Sequence, residues 1–344
     1  MTGWLAFLAA RGAVLSNGVV ADFGDPAGER AAAVSGSVVA PLLHLGALRV
    51  SGPDAVAFLH GQLTNDVKGM GPDRARYAGY CTPKGRLLAN FLAWREGEGV
   101  VLALARELVP AIGKRLRMFV LRSKVTIADA SDEVVLLGLA GPEAARAVQA
   151  ATGAGAPAAP MGVARGASGA VAIRVPGGRF VIAVPAEAAQ GAWESAASVL
   201  RPAGTPVWEW LEIRNGLTLV TAPTQDELVP QMANLELVGG VSFDKGCYPG
   251  QEVVARSQYL GKVKRRTYLA HVPGAPPPRP GEAVFASGAP DQPAGIIVNV
   301  APAPGGGCDV LATLHSASAE AGELHVGAPE GPRLTILPLP YALP

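Results

Sequence analysis

The chain has 344 residues, longer than one ordinary core supports, so two or three domains are expected. Apolar residues make up 49%, and 43 glycines with 30 prolines indicate a loop-rich but folded protein, which excludes a disordered chain. The net charge of +1, from 29 basic and 28 acidic residues, excludes a general polyanion binder, so no direct nucleic-acid partner is expected.

The three cysteines, Cys81, Cys247 and Cys308, lie far apart and form no CxxC pair. That spacing suggests neither a disulfide framework nor a zinc site, and it fits a reducing cytosol. The opening "MTGWLAFLAARGAVLSNG" has no basic residue before its apolar patch, and no apolar run approaches the ~18 residues of a membrane span. A cytoplasmic protein with no membrane partner is the expectation.

Along the chain, "LRVSGPDAVAFLHGQLTNDV" reads as strand, turn and helix, with Val56, Leu59 and Leu63 at helical spacing. "RYAGYCT", "GRLLANFLAW" and "GVVLALA" follow as short strands joined by turn residues. "RELVPAIGKRLRMFVL" is an amphipathic helix with Leu108, Ile112, Leu116 and Phe119 as its apolar stripe, and "KVTIAD" is a further strand. This order is an α+β plan. "VVLLGLAG" and the helix after Pro142 begin a second such unit, interrupted by the small-residue segment "TGAGAPAAPMGVARGASG", which reads as a loop. A hairpin, "AVAIRV-PGG-RFVIAV", and a helix, "AAQGAWESAASVL", come next. "TPVWEWLEIRNG" is a helix with Thr205 as N-cap and Gly216 as its stop. Beyond about Gly261, short strand-like runs separated by Pro/Gly turns read as a small all-β domain.

Most chemistry-bearing patterns are absent. "GAGAPA" has Pro157 where a dinucleotide-loop helix should open. His44, His60, His271, His315 and His325 lack metal-ligand spacing and read as surface or hydrogen-bonded histidines, so no metal site is expected.

The stretch "GGVSFDKGCYPGQEVVAR" is different. A thiolate is the reactive form of cysteine, and Lys245 can supply a cation that favours it at Cys247. Gly246 and Gly250 allow close backbone approach to a ligand. Gln251 and Glu252 suit a flat heterocycle with mixed hydrogen-bonding edges. The bland alternative is a buried free cysteine in a tight turn. Upstream, Gln231 and Asn234 either line the same pocket or satisfy loop backbone. Downstream, Arg256, Lys262, Lys264, Arg265 and Arg266 form a basic cluster that is either a solvated face or a seat for an anionic tail.

Lys245-Gly246-Cys247-Tyr248-Pro249-Gly250-Gln251-Glu252 matches the K-G-C-Y-x-G-Q-E signature of the YgfZ family of folate-binding proteins, relatives of the glycine-cleavage T-protein. "SGPDAVAFLHGQLTNDV" and "PKGRLLANF" also resemble that family's first-domain motifs. The resemblance implies a three-domain, ring-like α+β architecture with ferredoxin-like units and a C-terminal β-barrel. Its expected domains are 1–133, 134–260 and 261–344, the second ending in the cysteine loop. It implies tetrahydrofolate or a derivative as cofactor, and a role in assembling or repairing iron–sulfur clusters. Effects on tRNA modification would then be indirect, through iron–sulfur partners such as MiaB-type radical enzymes. On this chain it implies Cys247 and Lys245 as the working pair, with Gln231, Asn234, Tyr248, Gln251, Glu252 and Arg256 as cofactor contacts.

The T-protein's acidic pair is replaced by Ala89-Asn90, which removes the carboxylate for aminomethyl transfer. Whether the chain is an enzyme is therefore open at this stage. One alternative is a folate-dependent one-carbon transferase using Asp66 or Glu252 instead. Another is a non-catalytic folate-binding docking module.

Overall fold

The computed structural model describes residues 2–166, 168–259, 263–274 and 276–344. The chain forms two compact units, each assembled from separate segments. One comprises Met1–Ala55, Met70–Ala75 and Ala93–Trp208; the other comprises Val56–Gly69, Arg76–Leu92 and Glu209–Pro344. The expected boundary at 260/261 lies outside the described residues.

The first unit holds a six-stranded sheet in the order Val163–Arg165, Val171–Val175, Arg179–Pro185, Val134–Ala140, Val38–Pro41, Arg201–Pro202. Its pairings are antiparallel except the last, which is parallel. Helices Ala144–Thr152 and Ala189–Ala197 turn their small-residue faces inward: Ala144, Ala147 and Val148 from one, Ala189, Ala192, Trp193 and Ala196 from the other. These join Leu137, Leu139 and Ile182 in one core, which the N-terminal helix Thr2–Ala10 completes with Trp4 and Leu8. Each fully buried large side chain there stabilises by roughly 1.5–3 kcal/mol. Gly138 sits mid-strand because a Cβ there would lie 2.3 Å from the Trp208 indole. The helix Pro26–Ser35 starts where Asp25 accepts a bond from the Gly28 amide and Pro26 fits the first turn.

A five-stranded sheet runs in the order Ala75–Cys81, Leu87–Glu96, Gly99–Ala105, Leu45–Ser51, Thr126–Asp129. Three expectations need correction. The helix Val109–Arg117 buries Ile112 and Leu116, but it ends before Phe119, which is 41% exposed. The small-residue segment is not all loop, because Val163–Arg165 pairs with Val171–Val175; three residues are too few to show a period. Thr205 is the first residue within its helix, Thr205–Arg214, one place past the cap position, and its hydroxyl donates to the Pro41 carbonyl. Gly216, at φ 64°, does stop that helix.

The second unit ends in a closed barrel of six strands, in the order Arg265–Val272, Cys308–His315, Ala289–Pro302, Ala283–Ala286, Leu324–Val326, Arg333–Leu337. Its core holds Ala270, Val284, Ile297, Val310, Leu314 and Leu334. The fold is mixed α+β with a C-terminal β-barrel. Among the described residues no helix is long and apolar enough to cross a membrane.

Candidate functional site

The cysteine loop is held from below by Lys245. This side chain is only 9% exposed. Its Nζ donates to the backbone carbonyls of His60 and Leu63, the latter at 2.8 Å. The His60 carbonyl closes the helix Ala55–His60, where unpaired carbonyls and the helix dipole favour a cation, and the Leu63 carbonyl lies three residues beyond it. The ammonium also sits 4.7 Å from the centroid of the buried Tyr248 ring. Burial pulls the Lys245 pKa down to about 8, against the opposing charges of Asp66 and Cys247. Burial likewise pushes the Tyr248 phenol up. Lys245 is thus an anchor as well as the loop's cation. Cys247, two residues on, is exposed.

The remote motifs meet at this loop. Thr64 Oγ1 accepts from the Gly79 amide and donates to the Gly240 carbonyl. Asn65 Nδ2 donates to the carbonyls of Tyr77 and Gly239. "LTND" therefore fixes the approach to the cysteine. Gly250, at φ 82°, packs on the turn of "PKGR": a Cβ on it would stand 2.5 Å from the Thr82 carbonyl and 2.6 Å from the Gly85 Cα. The helix Gln251–Tyr259 then leads away, with Val254 buried on its inner face.

The expected cofactor contacts separate into two groups. Gln231 and Asn234 are fully buried. The Gln231 amide donates to the Val254 carbonyl and the Asn234 amide to the Thr267 carbonyl, each at 2.7 Å. They brace the helix and the barrel and present no surface to solvent. Glu252 and Arg256 lie exposed on the helix as a pair 3.1 Å apart, and Gln251 is half-buried at the helix start. The basic cluster also divides. Arg266 is buried and paired with Glu236, and it donates to the Gln231 carbonyl, so it is not a free cation. Arg265 Nε donates to His315 Nε2, Lys264 is exposed, and Lys262 lies outside the described residues. Lys264, Arg266, His315, Ser257, Gln258, Ser316, Glu320 and the C-terminal Pro344 line a cleft of about 710 Å³.

Ala89 is buried and Asn90 is 9% exposed. Asn90 Nδ2 donates to the Thr218 carbonyl and Asn90 Oδ1 accepts from the Val220 amide. The position of the acidic pair is therefore a backbone bracket. Cys81 and Cys308 are buried, and burial pushes Cys81 up to about 12. Among the described residues no group of His, Cys, Asp and Glu could hold a metal. His60 was passed over in the sequence, where its spacing marks nothing. Its Nδ1 stands 3.1 Å from Asp66 Oδ1 without a hydrogen bond, and its Nε2 lies 3.7 Å from the point where a Cβ on Gly246 would stand.

Residues 23–245 match the GCVT N-terminal domain family. The chain is 31% identical over 296 residues to the tRNA-modifying protein YgfZ of Yersinia enterocolitica, covering 86% of this chain and 89% of that protein. It is 32% identical to the protein of that name from Sodalis glossinidius, covering 86% and 90%. Among solved structures it is similar to the glycine cleavage system aminomethyltransferase T of Bartonella henselae, with a TM-score of 0.81 over 98% of this chain and 97% of that one, at 18% identity. That likeness is one of fold. With the cysteine loop and its supporting motifs in place, these matches make the chain a member of the GCVT N-terminal domain family and, within it, of the YgfZ family.

Proposed function

We propose that this chain binds a reduced folate and supports iron–sulfur cluster assembly or repair, and through it tRNA modification, with Cys247 as its working thiol. One observation carries the reading. Around Cys247 the loop is fixed by the buried Lys245 and by the Gly250–Gly85 contact, while the thiol itself is exposed. A merely structural cysteine would be buried, as Cys81 and Cys308 are. The name of the YgfZ relatives supports the link to tRNA modification. Iron–sulfur radical enzymes of the MiaB type are the partners this reading assigns.

Tetrahydrofolate, or a derivative, is the cofactor this reading assigns. A cleft of about 710 Å³ is within the size range of small-molecule sites. Lys264, Ser257, Gln258 and Ser316 offer the cofactor a cation and hydrogen-bonding groups, while Glu320 and the C-terminal Pro344 bring carboxylates to the same cleft. Bound there, the reduced pterin would supply one-carbon chemistry. The contribution of this chain is to hold the cofactor and to present Cys247. The bracketing of Asn90 by Thr218 and Val220 counts against aminomethyl transfer, which needs a carboxylate there.

The test is restoration of methylthio-modified adenosine in the tRNA of cells lacking the protein. The wild type should restore it, and Cys247→Ser, present at the same soluble level, should not. Full restoration by Cys247→Ser would remove Cys247 as the working thiol.

A further inference from the structure

The helix Val109–Arg117 runs into an apolar tip that the fold leaves uncovered. Met118 is 65% exposed, Phe119 41% and Leu121 87%. The backbone that carries them is hydrogen-bonded throughout. The amides of Met118, Phe119 and Val120 donate in turn to the carbonyls of Arg115, Leu116 and Arg117. The Ser123 amide donates to the Val120 carbonyl at 2.8 Å, which closes a reverse turn. Beyond the turn, the Lys124 amide donates to Asp54 Oδ2 at 2.7 Å.

Leu121 is the misfit of this turn. It is the first central residue, and its φ is 45°. Glycine or asparagine takes that left-handed backbone readily, whereas a leucine adopts it against steric resistance. The exposed side chain gains no burial in return. Strain and exposure at one position are both accounted for if the side chain enters a pocket on another molecule.

The surroundings are basic. Residues 109–125 hold Lys114, Arg115, Arg117, Arg122 and Lys124 and no Asp or Glu, in a chain whose net charge is only +1. Arg115 lies over the Phe119 ring, 5.9 Å from its centroid, and Arg117 Nε donates to the Ile127 carbonyl, so these two shape the tip. Lys114, Arg122 and Lys124 are exposed beside it.

We propose that this tip is a docking surface for a protein partner whose complement is an apolar pocket rimmed by carboxylates, carried by the iron–sulfur enzyme that the chain serves. The surface rests on its own geometry, and the identity of the partner rests on the proposed function. Leu121 and Met118 fill the pocket, and the three exposed cations meet its rim. The fixed backbone favours a protein over an anionic bilayer. A bilayer accepts apolar side chains in any orientation and gains nothing from one left-handed residue, whereas a shaped pocket gains from a preset side chain.

The probe is a purified MiaB-type methylthiotransferase from the same cells, titrated by calorimetry against the full chain at about 50 and about 500 mM NaCl. Leu121→Gly and Leu121→Asn suit the left-handed backbone and remove the apolar knob. Both should bind at least about tenfold more weakly, as expected when a leucine is withdrawn from a pocket. Leu121→Gly should melt no lower than wild type, because its backbone is relaxed. Arg122→Glu should bind about tenfold more weakly at low salt, with the difference shrinking at high salt. Equal affinity of wild type and Leu121→Gly, no binding by wild type, or a lower melt of Leu121→Gly would overturn the proposal. Co-sedimentation of wild type, but not Leu121→Gly, with phosphatidylglycerol vesicles would overturn it too, and give the tip to a membrane. Restoration of tRNA modification is scored separately. A wild type that restores it without binding the enzyme would lose only the docking surface, and one that binds without restoring would lose only the proposed function.

Discussion

Lys245 carries its charge where little water reaches it. Its pKa falls to about 8 from 10.5 because burial disfavours the ammonium more than Asp66 and Cys247 favour it. Between these two values the folded chain has released the proton and the unfolded chain still holds it. The unfolded state then binds more protons, so this group's contribution to stability rises with pH across that window. The neutral amine keeps N–H donors for the His60 and Leu63 carbonyls, so the anchor survives the titration. The stability advantage of wild type over Lys245→Met should therefore grow by on the order of 1–3 kcal/mol between pH 7.5 and 10. Urea unfolding of both proteins at each pH measures it. An advantage that is flat or shrinks with pH would mean that Lys245 is not desolvated.

At the scale of elements, the loop is a contact between two turns. Gly250 and Gly85 both have positive φ, at 82° and 74°, and their backbones touch, so neither turn can carry a side chain there. Gly246, in the same loop, has room: its nearest outside neighbour would be His60 Nε2 at an ordinary contact distance of 3.7 Å. Gly250→Ala should cost about 2–4 kcal/mol, from left-handed backbone strain plus overlap with the Thr82–Gly85 turn. Gly246→Ala should cost under about 1 kcal/mol. Thermal melts of the two variants separate the cases. Equal, small losses would show that the two turns are not locked together.

At the scale of the molecule, the barrel is tied to the site-bearing segment of its own unit by a buried ion pair. Arg266 and Glu236 are each 7% exposed at the side chain, and Arg266 also donates to the Gln231 carbonyl. Asn234 reaches the Thr267 carbonyl, and Thr267 Oγ1 donates to the Met232 carbonyl. Removing one member of such a pair strands the other charge, so Arg266→Met should lose about 3–5 kcal/mol. Adding Glu236→Leu should recover part of that loss, because the stranded carboxylate is gone. Chemical denaturation of the single and double variants tests this. Simple additivity of the losses would contradict a coupled pair.

Local chemistry alone determined much of this protein. The barrel strands, the "PGG" hairpin and the glycine-stopped helix follow from alternation and turn residues, which act over a few positions. The cysteine loop was legible for the same reason, since its Lys, Gly, Cys, Gln and Glu fall within eight positions. What those polar groups face was not legible. Gln231, Asn234 and Arg266 look like ligand contacts in one dimension, yet the fold buries them against backbone carbonyls and Glu236. The anchor of Lys245 lies 185 positions away at His60, and the Asp66–His60 pair comes to the loop by the same fold. Burial and pairing across such separations are set by tertiary packing, because side-chain spacing along a chain encodes only the period of its own element.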